Sequence, residues 1–436
     1  MYSNSYRHYV TALLLVVYVF NQMDRRVFNL LMEPIKQQFS LTDTQLGLVA
    51  GPALVLLYSC LGVPVARWAD RSRRVTIMSV AIATWSVVAT LTAAVIQFWQ
   101  LVLVRIGVGV GEAGFSAVAI SVIGDYESDR NRARAVSNFM LAVPIASLLS
   151  NLLSGWVSQL YGWRWVFVVA GVPGVFLAAL MRLTVREPAR RLTADPRELS
   201  RPPWRLVLST LWKRRSLRHL VIAQGLANTV VNVIGWISVF FIRQHHMTTG
   251  ELGSWLALTD GLGPFAGIWL SGVLAAKLGA KSAGTSARLM AYASVLIAPL
   301  ALFVLWCPFK HAALLGYLLL NIPLYFFVGP TLALVQDLVA ANMRATMASL
   351  VILIQMLAGG LIGVQVVGIL SDTLTAVTGN AATALRWSMA IGSMITLWAA
   401  IHFWRAARYV PRDLAAASDD VINARSVQRV NTPVLP

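Results

Sequence analysis

Residues 75–96 read VTIMSVAIATWSVVATLTAAVI, a run of 22 residues without one charged side chain. An α-helix rises about 1.5 Å per residue, so a run of this length spans a hydrocarbon core about 30 Å thick. Residues 71–74, RSRR, precede the run, and a basic cluster beside an apolar run is typical of the cytoplasmic border of a membrane helix. This stretch therefore predicts a helix that crosses a bilayer.

The composition extends this prediction to the whole chain. The residues AVILMFWYC fill 57% of the 436 positions, and Asp, Glu, Lys and Arg fill 12%, about half the charged share of a soluble domain. So few charges cannot cover a surface that faces water. The net charge of +18 comes from short loops between apolar runs rather than from a continuous basic face, which argues against a nucleic-acid partner.

Apolar runs of this kind recur along the chain and predict an all-α polytopic membrane protein, with twelve transmembrane helices in two pseudo-symmetric six-helix bundles. The helices are predicted near residues 8–32, 44–66, 75–96, 98–124, 133–160, 164–184, 217–243, 252–276, 284–306, 311–339, 345–370 and 380–404. The predicted domains are a bundle at 1–184, a basic cytoplasmic linker at 185–216, a bundle at 217–405 and a cytoplasmic tail at 406–436.

Basic residues are concentrated in every second loop. If the N-terminus is cytoplasmic, the inner loops hold most of the Arg and Lys residues and the outer loops are nearly bare. The positive-inside rule then places both termini in the cytoplasm, and we expect the protein in the cell (inner or plasma) membrane. The tail after Arg405 combines Pro411 with Ser, Asp and Asn residues, which predicts a solvated, poorly ordered segment.

Charged residues inside the apolar helices are the clearest indication of function. Asp24 falls within the first predicted helix, and Arg105 and Glu112 fall within the fourth. A charge at the bilayer centre costs about 2.5–3.5 kcal/mol on insertion scales, so such side chains normally face a cavity and find partners. Two helical turns separate Arg105 from Glu112, which puts both on one face, where Asp24 can join them. The alternative is a set of structural ion pairs, and Arg25 and Arg26 are expected to snorkel to the outer surface.

Polar residues inside the second-half helices are mostly uncharged. Asn228 and Asn232 lie one turn apart on the seventh predicted helix, Tyr325 lies on the tenth and Gln355 on the eleventh. These side chains either form hydrogen bonds between helices or line a cavity. We predict an asymmetric cavity whose substrate-binding residues are Arg105, Asn228, Asn232, Tyr325 and Gln355.

Two short elements of the sequence carry a family resemblance. The loop at 62–74 reads GVPVARWADRSRR, and the pattern Arg-Ala followed by Ser occurs at 132–137 and again at 344–349, in the same position of each half. Together these elements resemble the Major Facilitator Superfamily, and the resemblance implies two rocking bundles and a cytoplasmic gate. The gate residues implied here are Asp70, Arg71, Arg74, Arg132 and Arg134. A simple stop-transfer cluster is the alternative interpretation of this loop.

A narrower resemblance is carried by NQMDR at 21–25, GVGEAGFS at 109–116, and RATMAS at 344–349 with GILSD at 368–372. These segments resemble the spinster branch of that superfamily. In spinster-like proteins the first-helix aspartate and the fourth-helix arginine and glutamate are associated with proton or substrate coupling. The matching positions are Asp24, Arg105 and Glu112. Substrates of the branch include lysophospholipids and sphingoid phosphates.

We therefore predict a secondary active transporter with alternating access, in which Asp24 or Glu112 takes a proton and an amphiphilic anionic or zwitterionic solute is moved. Proton-coupled uptake of a soluble organic anion and drug efflux are the alternatives. The sequence has no Walker loop, no zinc-type His/Glu spacing and no Gly-x-Ser-x-Gly elbow, so no cofactor, metal or enzymatic activity is expected. The expected partners are the substrate, the proton and the bilayer, and the chain is expected to be monomeric.

Overall fold

The computed structural model describes residues 3–113, 115–127, 129–188, 204–279 and 284–430. Every regular element in these ranges is helical, in agreement with the predicted all-α class. The helices form twelve consecutive segments, here called spans, six on each side of the linker. Their bounds agree with the predicted ones to within about five residues, except at the ends of the first, eleventh and last spans, which extend further.

The first half contains spans one to six. In order they are Asn4–Phe39; Asp43–Ala50 with Pro52–Arg71; Arg74–Leu91; Phe98–Glu112 with Phe115–Tyr126; Asp129–Met140 with Ala142–Tyr161; and Trp163–Thr184. A single turn of 3₁₀-helix, Thr92–Ala94, follows the third span.

The second half contains spans seven to twelve. In order they are Arg215–Ile234 with Ile237–His245; Thr249–Gly279; Thr285–Trp306; Lys310–Leu324 with Val328–Asp337; Arg344–Leu357 with the π-helical turn Ala358–Gly363 and Val364–Thr378; and Ala381–Ser393 with Ile395–Val430. A turn of 3₁₀-helix, Ala341–Met343, precedes the eleventh span.

Ten of the spans are long and apolar enough to cross a membrane within the described part of the chain. The first span falls below that level because Asp24, Arg25 and Arg26 interrupt its apolar run. The fourth span is described as two shorter helices on either side of residue 114. The first span, which falls short by hydropathy, is therefore one that carries predicted intramembrane charges.

The packing of the spans repeats between the two halves. In the first half the first span packs on the fifth, the second on the fourth and the third on the sixth. In the second half the seventh packs on the eleventh, the eighth on the tenth and the ninth on the twelfth. The contacts between the halves obey the same symmetry, because the fifth span packs on the eighth and the eleventh on the second. This repetition confirms the predicted pseudo-symmetric pair of six-helix bundles.

The fifth and eighth spans approach each other so closely that their backbones touch. A Cβ added to Gly155 would lie 2.9 Å from the Cα of Gly253, and one added to Gly253 would lie 2.8 Å from the Cα of Gly155. Only glycine fits at both positions, which is a common way for membrane helices to pack. Trp156 also donates a hydrogen bond from Nε1 to the Oγ of Ser254 at 3.0 Å.

The twelfth span continues as a helix to Val430, so the prediction of a poorly ordered segment after Arg405 is wrong for residues 406–430. The polar composition concealed a short apolar stripe. Ala406, Val410 and Leu414 recur every four residues and pack in the same core as the seventh span. A spacing of four places these side chains on one helix face, which holds the start of the tail against the bundle.

The linker contains a helix of its own, Trp204–Lys213, here called the linker helix. Val207 and Leu211 are buried and pack in the core of the second half. Residues 189–203 of the predicted linker lie outside the described ranges.

A cluster of buried polar bonds, here called the latch, joins the halves at the end opposite the linker. It consists of Glu33, Asp43, Arg243, Ser371 and Asp372. Arg243 donates from Nη1 and Nη2 to the two carboxylate oxygens of Asp43 at 2.8 and 2.7 Å, and from Nε to Glu33 at 2.8 Å. Ser371 donates to Asp43 at 2.6 Å, and Asp372 accepts from the backbone N–H of Asp43 at 2.9 Å. Bidentate charge-assisted bonds of this kind are strong, so this end is closed.

Replacing Arg243 with Gln is expected to lower the thermal unfolding temperature of the purified protein markedly. The change leaves the buried Glu33 without its cation and Asp43 with Lys36 alone, and breaking a buried ion pair costs about 3–5 kcal/mol. Lys310→Gln is the matched control, because its 2.6 Å pair with Glu251 lies at the same end and its side chains are 40% and 32% exposed. Equal shifts for the two variants would show that the latch does not hold the closed end.

Candidate functional site

A cavity of about 350 Å³ lies between the two halves near their middle. Its volume falls in the range of small-molecule sites. Its lining mixes apolar side chains with a few charged and amide groups drawn from both halves. The polar lining residues are Gln22, Arg25, Arg26, Asn29, Asn151, Asn228, Asn232, Ser238, Asp260, Tyr317, Asn321 and Tyr325.

Four charged side chains of the first and fourth spans meet beside this cavity. They are Asp24, Arg25, Arg105 and Glu112, here called the four-charge cluster. Arg25 donates from Nε to the Oε2 of Glu112 at 2.5 Å, and the Nη1 of Arg105 lies 3.6 Å from the Oδ2 of Asp24. Asp24, Arg105 and Glu112 are each at most 3% exposed. The two cations and two carboxylates give the cluster no net charge, and such pairing lowers the cost of burying charged side chains in a membrane.

The carboxylates of the four-charge cluster are not saturated with hydrogen bonds. Among the described residues, neither oxygen of Asp24 and only one oxygen of Glu112 receives a hydrogen bond. A buried polar atom without a partner is costly, and a proton on the oxygen removes the charge that carries most of this cost. The cluster therefore has the chemistry of a proton site.

The arginines of the first span do not occupy the expected positions. Arg25 and Arg26 were expected at the outer surface, but both line the central cavity, and that prediction is wrong. Glu112 draws Arg25 inward, while Arg26 donates to the Oγ of Ser147 on the fifth span at 3.1 Å. Arg105, predicted to bind substrate, lies behind the cavity wall with its guanidinium 4.5 Å from the ring centre of Phe28.

The predicted polar residues of the second half divide into two groups. Asn228, Asn232 and Tyr325 line the cavity. Gln355 instead lies between helices, where it donates to the Oδ1 of Asn228 at 3.2 Å and accepts from the Nε2 of Gln224 at 2.9 Å. Of the two roles considered for Gln355, the structure shows the hydrogen bond between helices rather than the lining of the cavity.

A π-helical turn, Ala358–Gly363, lies next to these amides in the eleventh span. A Cβ on Gly363 would lie 2.5 Å from the carbonyl oxygen of Thr229 and 2.9 Å from the Cβ of Asn232. The absence of a side chain lets the seventh and eleventh spans approach and brings Asn232 to the cavity wall. Turns of this type inside α-helices occur frequently at functional sites.

Asp260 of the eighth span is a cavity residue that the sequence analysis missed. Its Oδ1 accepts a hydrogen bond from the hydroxyl of Tyr317 at 2.7 Å, and its Oδ2 accepts one from the Nδ2 of Asn151 at 3.1 Å. Because Asn151 belongs to the fifth span, this carboxylate bridges the halves. The signal was present, since Asp260 interrupts the apolar run 252–276 just as Asp24 interrupts the first helix.

The predicted gate residues do not form one group in the described part of the chain. Arg74 is buried and donates to Asp125 at 2.5 Å and to Glu187 at 3.3 Å, so it ties the third span to the fourth and to the linker. Arg134 is exposed. The remaining predicted members, Asp70, Arg71 and Arg132, have side chains that lie outside the described residues.

A central cavity between two pseudo-symmetric six-helix bundles, with buried charges beside it, defines a polytopic membrane transporter. The model of the Major Facilitator Superfamily matches residues 14–364. The chain belongs to that family. Spinster-like transporters are among the proteins to which it is similar, as the following relatives illustrate.

An MFS-type efflux pump of Mycolicibacterium smegmatis is 28% identical over 411 residues, which cover 92% of this chain and 93% of the relative. The sphingosine-1-phosphate transporter SPNS2 of Danio rerio is 29% identical over 232 residues, covering 52% of this chain and 46% of the relative. The chain thus matches about half the length of this spinster relative.

Among solved structures, a bacterial homolog to the human lysosomal transporter Spinster, in an inward-facing and unoccupied conformation, has a TM-score of 0.88. Its sequence is 25% identical, and the match covers 94% of this chain and 99% of that chain. The structural match extends over both halves.

The two ion pairs of the four-charge cluster are expected to differ in strength. Double-mutant cycles built on Arg25→Gln with Glu112→Gln, and on Asp24→Asn with Arg105→Gln, measure each coupling through the thermal unfolding temperature. We expect the larger coupling for Arg25 and Glu112, because their 2.5 Å contact is a hydrogen bond and the 3.6 Å contact is not. A larger coupling between Asp24 and Arg105 would contradict this geometry.

Proposed function

We propose that this chain is a proton-coupled secondary transporter of a zwitterionic amphiphile, such as a lysophospholipid or a sphingoid phosphate. The observation that carries the proposal is the position of Arg25. Its guanidinium is bound to the buried carboxylate of Glu112 and also lines the cavity. One cation is therefore shared between a proton site and a substrate site.

Competition for Arg25 gives a mechanism of coupling. When Glu112 takes a proton on its carboxylate, the neutral acid no longer holds the guanidinium by charge, and Arg25 can bind a phosphate in the cavity. When the proton leaves, Glu112 regains Arg25 and the phosphate is released. Proton and substrate therefore increase each other's affinity, which corresponds to symport.

Asp24 and Arg105 complete the proton site in this scheme. Asp24 is a second carboxylate that can be protonated, and its oxygens receive no hydrogen bond among the described residues. Arg105 is close enough to both carboxylates to interact electrostatically with each. It keeps the cluster near neutrality while the proton enters and leaves, and its buried position favours this role over direct contact with substrate.

Arg26 and Asp260 supply the complementary charges for a dipolar head group. They belong to opposite halves and interact electrostatically, yet no salt bridge joins them in the described structure. Ser147 lies between them, accepting from Arg26 at 3.1 Å and donating to the backbone oxygen of Asp260 at 3.3 Å. A phosphate at the arginines and an ammonium at Asp260 would satisfy both charges. Asn228, Asn232 and Tyr325 would hold the remaining polar atoms.

Alternating access in this proposal is a rocking of bundle 1–184 against bundle 217–405, joined by linker 185–216, with both termini and tail 406–436 in the cytoplasm. The latch closes the outer end in the inward-facing state. When the latch opens, a gate at the linker end would close. Its residues are Asp70, Arg71, Arg74, Arg132 and Arg134. We place the transporter in the cell (inner or plasma) membrane and take the monomer as the working unit.

Drug efflux is the second candidate, because the relative that matches nearly the whole chain is named an MFS-type efflux pump. Efflux driven by proton entry requires proton and substrate to compete for the protein. Symport requires them to help each other. The sign of the pH dependence of substrate binding therefore separates the two, and a panel of lysolipids and soluble carboxylates tests the remaining alternative of organic-anion uptake.

Glu112→Gln is expected to abolish accumulation of substrate driven by a pH gradient in proteoliposomes while retaining counterflow exchange. The amide carries no exchangeable acid proton, so coupling is lost, but it leaves Arg25 free to bind phosphate. Substrate binding by the unmodified protein should strengthen as pH falls, and the same change of pH should strengthen binding by the variant far less.

Glu251→Gln is the control for this experiment, because Glu251 lies outside the cavity in a partly exposed pair with Lys310. Retention of full gradient-driven accumulation by Glu112→Gln would refute proton coupling through this residue. Weaker binding at low pH in the unmodified protein would favour efflux instead.

Asp260→Asn is expected to discriminate between substrates that do and do not carry an ammonium group. Transport of a sphingoid phosphate or a lysophosphatidylethanolamine should fall about tenfold, since a hydrogen bond to a charged group contributes about 1.5–3 kcal/mol. Transport of a lysophosphatidate, which has no ammonium, should change little. Equal losses for both classes would mean that Asp260 supports the structure of the cavity and does not recognise the head group.

A further inference from the structure

A second cavity, here called the linker cavity, lies at the linker end of the second half and has a volume of about 520 Å³. It is enclosed by the linker helix, the start of the seventh span, the turn before the eleventh span and the extended end of the twelfth. Its charged lining contains four cations and one carboxylate. These residues are Lys213, Arg214, Arg215, Arg412 and Asp413.

The single carboxylate of this cavity is already engaged. Asp413 accepts hydrogen bonds from the backbone N–H and the Oγ of Ser216 at 2.8 and 2.6 Å, and so caps the N-terminus of the seventh span. Within the described residues, no carboxylate forms a salt bridge with Lys213, Arg215 or Arg412. As far as the structure describes the chain, these three cations therefore have no carboxylate partner, which favours an anionic ligand.

The linker cavity lies at the depth of lipid head groups. Arg215 begins the seventh span, so the cavity is at the membrane border of that helix. On the linker helix, Trp204, Leu208 and Trp212 recur every four residues and form an exposed apolar stripe. Tryptophan is enriched at the membrane interface, and an amphipathic helix with such a stripe lies in the interfacial plane.

We propose that the linker cavity binds the head group of an anionic phospholipid from the leaflet on the linker side. The cations hold the phosphate, and the apolar part of the lining, which includes Leu206, Ala340 and Met343, contacts the glycerol and upper acyl carbons. A free phosphate ion would leave that apolar wall uncovered. Basic pockets between membrane helices are recognised sites for anionic head groups.

A lipid in this position would join segments that are distant in sequence. The cavity is lined by Leu206 of the linker helix, Met343 before the eleventh span and Arg412 of the twelfth. A bound head group would hold the linker helix against the second half, so that the two would move together when the bundles rock. This proposal does not depend on the coupling mechanism or on the identity of the transported substrate.

The test compares Lys213→Gln/Arg412→Gln with Arg205→Gln/Arg408→Gln in the full-length protein. The control pair removes the same charge from the same two helices, at exposed positions that do not line the cavity. Thermal stabilisation is titrated with phosphatidylglycerol, phosphatidylcholine, glycerol 1-phosphate and inorganic phosphate, since a ligand stabilises the state it binds. The unfolding temperature without added ligand checks that both variants are folded.

We expect phosphatidylglycerol to stabilise the unmodified protein and the control pair with equal apparent affinity, and phosphatidylcholine to do so far less. For the cavity variant the apparent affinity for phosphatidylglycerol should fall at least tenfold, while its unfolding temperature without ligand stays close to that of the control pair. Equal affinity in the two variants would overturn the proposal. Equal stabilisation by glycerol 1-phosphate or inorganic phosphate would overturn the assignment to a lipid.

Discussion

The bond between Arg25 and Glu112 is the interaction on which the functional architecture depends. In a hydrocarbon layer no water stabilises an isolated ion, so every intramembrane charge must find a partner on another helix. Glu112 finds Arg25, and this fixes the rotation of the first span against the fourth. With that rotation set, Asp24 faces Arg105 and Arg26 faces the fifth span and the cavity.

The sequence could predict the helices and the membership of the cluster, because both are written in local patterns. Runs of apolar residues have the length of a bilayer, and a charge inside such a run has few places to lie. Pairing was harder to predict. Asp24 and Arg25 are neighbours on a helix and point about 100° apart, so which of them meets the cavity depends on packing that no single helix encodes. Asp260 could have been predicted in the same way as Asp24, because it is a charged residue inside the apolar run of the eighth helix.

The latch could not be predicted from local sequence patterns. Its members lie at the ends of the first, second, seventh and eleventh spans, and its contacts join residues separated by about 200 to 330 positions, as with Arg243 and Asp43 or Asp43 and Asp372. Each one alone resembles an ordinary loop charge. The helical tail was missed for a related reason, because the stripe formed by Ala406, Val410 and Leu414 becomes apolar surface only when the seventh span is beside it.

The contact between Gly155 and Gly253 has a consequence for the motion of the two halves. Where two backbones touch directly, no side chains interlock, and one helix can slide or turn over the other without any change of rotamer. The glycine contact therefore offers little steric resistance to rotation of the fifth span against the eighth. Around it, polar bonds such as those of Trp156 with Ser254 and Asn151 with Asp260 hold the two spans in place. Unlike apolar packing, such bonds can be exchanged for bonds to water or substrate.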